Sequence, residues 1–123
     1  MGTRYWKVEV VETGAVVGTR IERAATALQR MRGLLGRTSL LPGEGMLIED
    51  TASIHMFFML FSIDCVFLDK DYTIQRIARR VPPFGMASCY FPRPASHTLE
   101  IPAGIAKELS LQPGQHLRFS LNA

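Results

Sequence analysis

Two polar side chains within the most apolar stretch of the chain are the first candidates for chemistry. His55 and Asp64 stand nine residues apart in residues 53–69, SIHMFFMLFSIDCVFLD. An aspartate that accepts a hydrogen bond from a histidine fixes the ring tautomer and raises its basicity, as in acid–base sites. In the alternative that we favour, Asp64 accepts backbone N–H groups at a bend, and His55 is a partly buried ring whose hydrogen bonds are satisfied.

A cysteine near the prolines is a second candidate for catalysis. Cys89 falls in a segment that is rich in proline and is expected to form a loop, so its thiol could be accessible. It would become a nucleophile only if His55, His97 or an arginine lowered the pKa of the thiol. Cys65 lies inside the apolar run and is expected to be inert.

The possible metal ligands are scattered along the chain. They are His55, Asp64, Cys89, His97 and His116. No two of them stand at the spacing of a zinc finger or of an H-x-x-x-H helix, and no glycine-rich phosphate loop is present. We therefore expect neither a metal site nor a cofactor.

The apolar run itself must position His55 and Asp64. A membrane-spanning helix needs about 20 apolar residues, and an aspartate near its centre costs roughly 3 kcal/mol, so we reject a membrane span. The aromatic and β-branched composition favours strands instead. We predict two strands, at about 53–58 and 62–69, with a bend near 59–61 and apolar side chains on both faces.

Patterns elsewhere in the chain predict a mainly-β domain. Alternation and β-branched residues predict further strands at residues 5–11, 15–21, 46–48, 72–81, 98–101 and 117–121. Short helices are predicted at 24–33 and 103–110, a long surface loop at 81–94, where four prolines fall, and a type II turn at 112–115. The expected fold class is α+β, mainly β: an antiparallel sandwich or barrel-like sheet with two short helices.

Length and charge limit the possible functions. The 123 residues fit a single domain, residues 1–123, large enough to bury roughly two-thirds of its unfolded surface. The net charge is +3, and the sequence has no compact block of basic residues with interleaved aromatic residues, which disfavours nucleic-acid binding. The N-terminus MGTRYWKVEV lacks the apolar region of a secretory signal, and the two cysteines form no CxxC pair. We expect a cytoplasmic protein with reduced thiols.

Four separated stretches resemble one family in the same order. They are residues 31–47 (MRGLLGRTSLLPGEGML), 54–69 (IHMFFMLFSIDCVFLD), 82–89 (PPFGMASC) and 99–118 (LEIPAGIAKELSLQPGQHLR). Over residues 15–120 the chain is similar to the domain-of-unknown-function 192 family, which consists of small uncharacterised bacterial and archaeal proteins. The resemblance implies a compact, mainly-β fold and no established activity. This chain matches the family's central pattern at four positions: His55, Met59, Asp64 and Phe67. Cys89 stands where many members have a cysteine.

The chain also departs from the family pattern. Met56 replaces the usual threonine, Leu60 the usual arginine and Ser62 the usual proline. If that arginine binds an anion in the relatives, this protein is expected to have lost the property.

Three hypotheses for function remain open. The first is a non-catalytic module that binds a small molecule or a peptide in a pocket formed by His55, Asp64 and Met59 under the loop 82–96. The second is a small hydrolase or transferase that uses His55 and Asp64, with or without Cys89. The third is an interaction protein that pairs its edge strand, residues 72–80, with a partner. The sequence favours the first and leaves the oligomeric state open.

Overall fold

The computed structural model describes residues 4–26, 37–56 and 59–122. The elements of these residues are β1 (Trp6–Val10), β2 (Val16–Ala24), β3 (Glu44–Glu49), β4 (Ser53–His55), β5 (Ile63–Leu68), β6 (Ile74–Val81), β7 (Met86–Ser88), β8 (His97–Pro102), α1 (Ile105–Glu108) and β9 (Leu117–Leu121). The mainly-β prediction is therefore confirmed. Of the predicted helix 24–33, Ala24 belongs to β2, and residues 27–33 lie outside the described residues.

Seven strands form one curled sheet that closes partway into a barrel. Their order is β6-β5-β8-β3-β2-β1-β9, so β6 and β9 are the two edge strands. The edges meet at one end, where Thr73 bridges to His116 and the Leu117 N–H donates to the Tyr72 carbonyl at 3.0 Å. The barrel-like sheet expected from the sequence is confirmed, and the edge position predicted for residues 72–80 is that of β6.

One strand pair departs from the antiparallel expectation. Strands β2 and β3 run parallel, with Arg20 opposite Glu44 and Ala24 opposite Ile48, whereas the other pairs of this sheet are antiparallel. A parallel pair needs a crossover connection of about a dozen residues or more, and residues 25–43 provide that length.

The sheet buries a separate cluster of side chains on each face. The inner core draws on all seven strands and on α1: Val8, Val10, Val17, Ile21, Leu47, Val66, Leu68, Ile74, Leu99, Ile101, Ala106, Leu111 and Leu117. The outer core covers the opposite face: Ala24, Leu40, Met46, Ile48, Ile54, Met56, Met59, Ile63, Cys65, Phe67, Val81, Ala87, Cys89 and Ala95. All six residues of β5 are buried, as its apolar faces predicted.

A short two-stranded ribbon, β4 paired antiparallel with β7, contributes to the outer core. The prediction that residues 81–94 form only a loop is wrong, since β7 lies within them. The prolines stand on either side of β7, so this strand can pair with β4 while the segment stays out of the large sheet. The predicted strand 53–58 is shorter than expected, because β4 ends at His55.

The C-terminal part of the chain follows its predicted elements closely. Strand β9 has the predicted bounds, and α1 lies within the predicted helix 103–110. The Gln115 N–H donates to the Gln112 carbonyl at 3.2 Å, and Gly114 has φ +94°, as a type II turn requires. In the described residues, no helix is long and apolar enough to cross a membrane.

One buried carboxylate connects β5, β6 and α1. Asp64 on β5 is fully buried, and its Oδ1 accepts the Arg80 N–H at 2.8 Å. Its Oδ2 accepts the N–H groups of Gly104 at 3.0 Å and Ala106 at 2.9 Å. The first N–H groups of a helix have no partner within the helix, so Asp64 satisfies donors at the start of α1. This arrangement is the structural alternative considered for Asp64 above.

The Arg80 amide reaches Asp64 because β6 contains a bulge. Ile63 pairs with Val81 and Cys65 pairs with Ala78, so β6 contains one more residue than β5 between these two pairs. Arg80 has φ +51°, an unusual value for a residue with a side chain.

Asp64→Ala should lower the free energy of unfolding by about 3–5 kcal/mol, because it leaves three N–H groups without their acceptor. Asp64→Asn should also destabilise, since one side of the amide is a donor. Urea unfolding measures both, with the exposed Asp71→Ala as a control that changes stability by about 0.5 kcal/mol at most. A wild-type midpoint for Asp64→Ala would contradict this account.

Gly45→Ala should destabilise the fold by about 2–3 kcal/mol through overpacking. A Cβ at Gly45 would lie 2.6 Å from the Glu100 carbonyl oxygen and 2.9 Å from Ile21 Cδ1. Gly14 is the matched control: it has φ +75° and no atom within 4 Å of an added Cβ, so Gly14→Ala should cost only the left-handed strain of about 1–2 kcal/mol. A smaller loss at Gly45 than at Gly14 in thermal unfolding would show that the strands can move apart.

Candidate functional site

The structure places His55 and Asp64 on opposite faces of the large sheet. Strand β4 turns Ile54 into the outer core, and the neighbouring His55 is exposed. On β5, Asp64 stands between the outer-core residues Ile63 and Cys65, so its side chain points to the opposite face. There it accepts a hydrogen bond from the N–H group of Ala106, a member of the inner core. Both carboxylate oxygens already accept backbone N–H groups. The fold therefore does not bring the two side chains together as an acid–base pair.

Cys89 follows β7 and is only 3% exposed, within the outer core. Burial raises the pKa of the Cys89 thiol, and the nearby Arg76 guanidinium offsets this only in part. The thiolate is thus disfavoured at neutral pH. His97 does not supply a base here, because its Nδ1 accepts the Asp50 N–H at 3.3 Å and its ring stacks on Tyr72 with centroids 5.4 Å apart.

The remaining candidate ligands are dispersed or buried. His116 stands at the β6–β9 junction, with its Nδ1 2.5 Å from Glu12 Oε2. In the parts of the chain that the structure covers, no three His, Cys, Asp or Glu side chains form a group that could hold a metal ion. Met59 is 4% exposed and packs in the outer core, below the ribbon surface rather than on it.

Glu100 is a buried carboxylate to which the sequence reasoning gave no role. It is fully buried on β8, opposite Met46 and Cys65, and therefore lies on the outer face of the sheet. Thr98, two residues earlier, donates its hydroxyl to the Thr51 carbonyl at 2.8 Å. A carboxylate inside an otherwise apolar strand pattern was the available sequence signal.

The segments that flank the ribbon expose large apolar side chains. We use the name docking face for these exposed side chains, which are Leu60, Phe84, Met86, Tyr90 and Phe91. The backbone holds these segments against β4: the Phe84 N–H donates to the Met56 carbonyl at 2.8 Å, and Met86 lies opposite His55. Exposed apolar patches on soluble proteins commonly mark interaction sites.

Phe84 combines this exposure with an unfavourable backbone conformation. The Gly85 N–H donates to the Pro82 carbonyl at 2.9 Å, closing a turn in which Pro83 and Phe84 are the central residues. Phe84 has φ +63°, at the position where a type II turn favours glycine or asparagine. A side chain in this region costs about 1–2 kcal/mol, and 70% exposure of Phe84 means that burial recovers little of that cost.

Sequence reasoning missed the docking face for an identifiable reason. The role that the sequence predicts for the loop 82–96, a cover over a pocket, gives its aromatic residues no function of their own. Aromatic side chains between prolines, as in PPF (residues 82–84) and YFP (residues 90–92), were the signal, because such a segment has few ways to bury them in a strand ladder.

Positive charge predominates in the segment that contains β6 and β7. Residues 72–99 contain four arginines and no aspartate or glutamate. Among these arginines, Arg76 lies over the Phe67 ring at 5.9 Å, donates a hydrogen bond from its guanidinium to the Ser88 carbonyl, and so connects β6 with β7. Arg79 and Arg93 are exposed.

Comparison with known proteins confirms the resemblance noted in the sequence. The DUF192 family model, described as "Uncharacterized ACR, COG1430", matches residues 8–119. The UPF0127 protein of Thermococcus sibiricus (strain DSM 12597 / MM 739) is 34% identical over 116 residues, which cover 88% of this chain and 71% of the relative. The UPF0127 protein of Thermococcus gammatolerans (strain DSM 15229 / JCM 11827 / EJ3) is 35% identical over 119 residues, with the same two shares.

Two crystal structures share the fold. One, at 1.55 Å, is of a proposed transcription regulator from Sinorhizobium meliloti 1021, with a TM-score of 0.79, 24% identity and coverage of 97% of each chain; at that identity it shows the fold alone. The other, at 1.22 Å, is of a protein of unknown function from Novosphingobium aromaticivorans DSM 12444, with a TM-score of 0.76, 28% identity and coverage of 91% of this chain and 83% of the other. Together with the family match, these similarities show that the chain belongs to the DUF192 family of uncharacterised proteins.

Proposed function

We propose that this protein is a non-catalytic binding module whose docking face holds a peptide segment of a partner protein. His55, which is exposed on β4 opposite Met86, is the polar group that we assign to this surface, and Met59 packs in the outer core. Asp64 supports the fold rather than the ligand. The observation that carries the proposal is Phe84, an exposed aromatic residue held at a strained backbone position.

The strain at Phe84 supports a role outside the fold. Residues that remain in sparsely populated backbone regions are concentrated at binding and catalytic sites. Glycine or asparagine would form the same turn at lower cost, so the turn itself gives no reason for a phenylalanine. An aromatic side chain on a rigid turn is, by contrast, well suited to anchor a partner, because aromatic residues dominate the energy of many interfaces.

Charge indicates which peptides the surface would accept. Arg76, whose guanidinium donates a hydrogen bond to the Ser88 carbonyl on β7, brings positive charge to the ribbon and favours ligands that carry aspartate or glutamate. The exposed apolar side chains favour leucine-like or aromatic side chains in the same ligand. We therefore infer an acidic and apolar peptide segment.

Pairing of a partner with the β6 edge is a weaker explanation. The bulge at Arg80 interrupts regular pairing along this strand, and its arginine side chains are typical of an edge that resists strand addition. For the enzyme hypothesis, the described residues offer neither an assembled His55–Asp64 pair nor an activated thiol at Cys89.

Phe84→Asn should separate binding from stability. We expect its free energy of unfolding to equal that of the wild type or to rise by up to about 1 kcal/mol, because asparagine suits the turn. Its affinity for acidic and apolar peptides should fall by about tenfold or more. Short peptides selected from an array, in which the same apolar residues accompany either acidic or basic residues, provide the probe for fluorescence anisotropy.

Leu121→Asn is the matched control, since Leu121 is a large exposed apolar residue on β9 and outside the docking face. It should leave peptide affinity unchanged. The proposal fails if no acidic and apolar peptide binds saturably, or if Phe84→Asn lowers stability while affinity is retained.

A further inference from the structure

The structure also contains a polar cleft that lies between the β5–β6 turn and the Pro-rich segment. Its volume is about 260 Å³, and it is lined by the turn residues 69–71, Gln75 on β6, Arg93, Pro94 and Ser96. We propose that this cleft is a second binding site, separate from the docking face, that takes a small zwitterion of the α-amino acid class.

Backbone hydrogen bonds fix the walls of the cleft. Asp69 Oδ1 accepts the N–H groups of Asp71 at 2.8 Å and Thr73 at 2.9 Å, which locks the turn that carries Lys70 and Asp71. On the other side, the Ser96 N–H donates to the Leu68 carbonyl at 2.8 Å and holds the end of the Pro-rich segment against β5. The charged side chains are thus presented from anchored backbone.

Gln75 provides the observation that indicates a ligand with hydrogen-bond donors. Its Nε2 donates to the Arg93 carbonyl at 3.4 Å, which fixes the orientation of the amide, because a flipped amide would place two oxygens together. Its Oε1 is buried and, within the described residues, has no hydrogen-bond partner. A buried acceptor without a donor is costly, so a rotation of the Gln75 side chain that brings Oε1 to a ligand N–H group in the cleft gains affinity.

The charges of the lining residues are balanced rather than of one sign. Two carboxylates, Asp69 and Asp71, are matched by the cations Lys70 and Arg93. A simple anion or cation would meet repulsion as well as attraction in such a cleft. A zwitterion can place its ammonium group near the carboxylates and the Gln75 oxygen and its carboxylate near Arg93, whose guanidinium binds carboxylates in a bidentate manner.

The size of the cleft limits the ligand to a small molecule. Pockets that hold drug-sized ligands usually measure about 300–1,000 Å³, and this cleft is slightly smaller. A single amino acid with a small side chain is of suitable size. L-Alanine, which has both charged groups and little else, is therefore the appropriate probe.

Titration of the full chain with L-alanine, followed by amide NMR shifts, tests the proposal. We expect saturable shifts at the Gln75 side-chain amide and at the backbone amides of Asp71 and Arg93. Acetate and ethylammonium at matched ionic strength, each with one of the two charges, should bind at least about tenfold more weakly than L-alanine. Gln75→Ala and Arg93→Gln should each weaken L-alanine binding by about tenfold.

Arg118→Gln is the control, because Arg118 is an exposed arginine on β9 and does not line the cleft. It should bind L-alanine as the wild type does. The proposal is overturned if acetate or ethylammonium binds as well as L-alanine, if the shifts never saturate, or if Arg118→Gln weakens binding as much as Arg93→Gln. Peptide binding at the docking face is measured separately, so either site can fail without the other.

Discussion

The hydrogen bonds that Asp64 accepts from three backbone N–H groups hold together parts of the chain that are distant in sequence. They bridge separations of 16, 40 and 42 residues, to Arg80, Gly104 and Ala106. A carboxylate is the side chain suited to this position, because it accepts on both oxygens and donates on neither when ionised. Without it, the bulge in β6 and the start of α1 would leave partly or fully buried N–H groups without an acceptor. The bonds thereby fix α1, whose Ala106 lies in the inner core.

A second constraint follows from the composition of β5. Since all six of its residues are buried, the strand must be covered on both faces. Closure of the sheet covers one face with side chains from all seven strands. The other face needs a separate layer, to which the ribbon contributes Ile54 and Ala87. The docking face is the outer surface of this cover, so the part of the molecule that we propose to bind a partner exists because a buried strand requires a second layer.

The sequence predicted those elements whose signals are local. Strand β9 and the turn at 112–115 were predicted because a proline and a glycine define the turn and alternation defines the strand. The parallel pairing of β2 with β3 was not predictable in this way, because alternation is the same for both directions of pairing. The relative position of His55 and Asp64 also depends on non-local structure. His55 belongs to the ribbon and Asp64 to the large sheet, and the pairing of β4 with β7 decides on which side of that sheet His55 lies. Burial of Asp64 against backbone amides could be proposed from its apolar surroundings, but its partners on β6 and α1 could not.

Two left-handed residues near the C-terminal end of β6, Arg80 and Phe84, show how strain can be separated into structural and functional contributions. Arg80 has φ +51°, and its strained backbone directs an N–H group at Asp64, so the fold uses the conformation directly. Phe84 has φ +63° in a turn that glycine or asparagine would form more easily, and its N–H bond to Met56 depends on the backbone alone. In the first case the strain is offset by a buried hydrogen bond; in the second, nothing in the turn requires the aromatic side chain. A residue that lowers stability without a structural return is retained at a site of interaction more readily than elsewhere. The difference between Arg80 and Phe84 therefore supports a structural role for Arg80 and the binding role that we propose for Phe84.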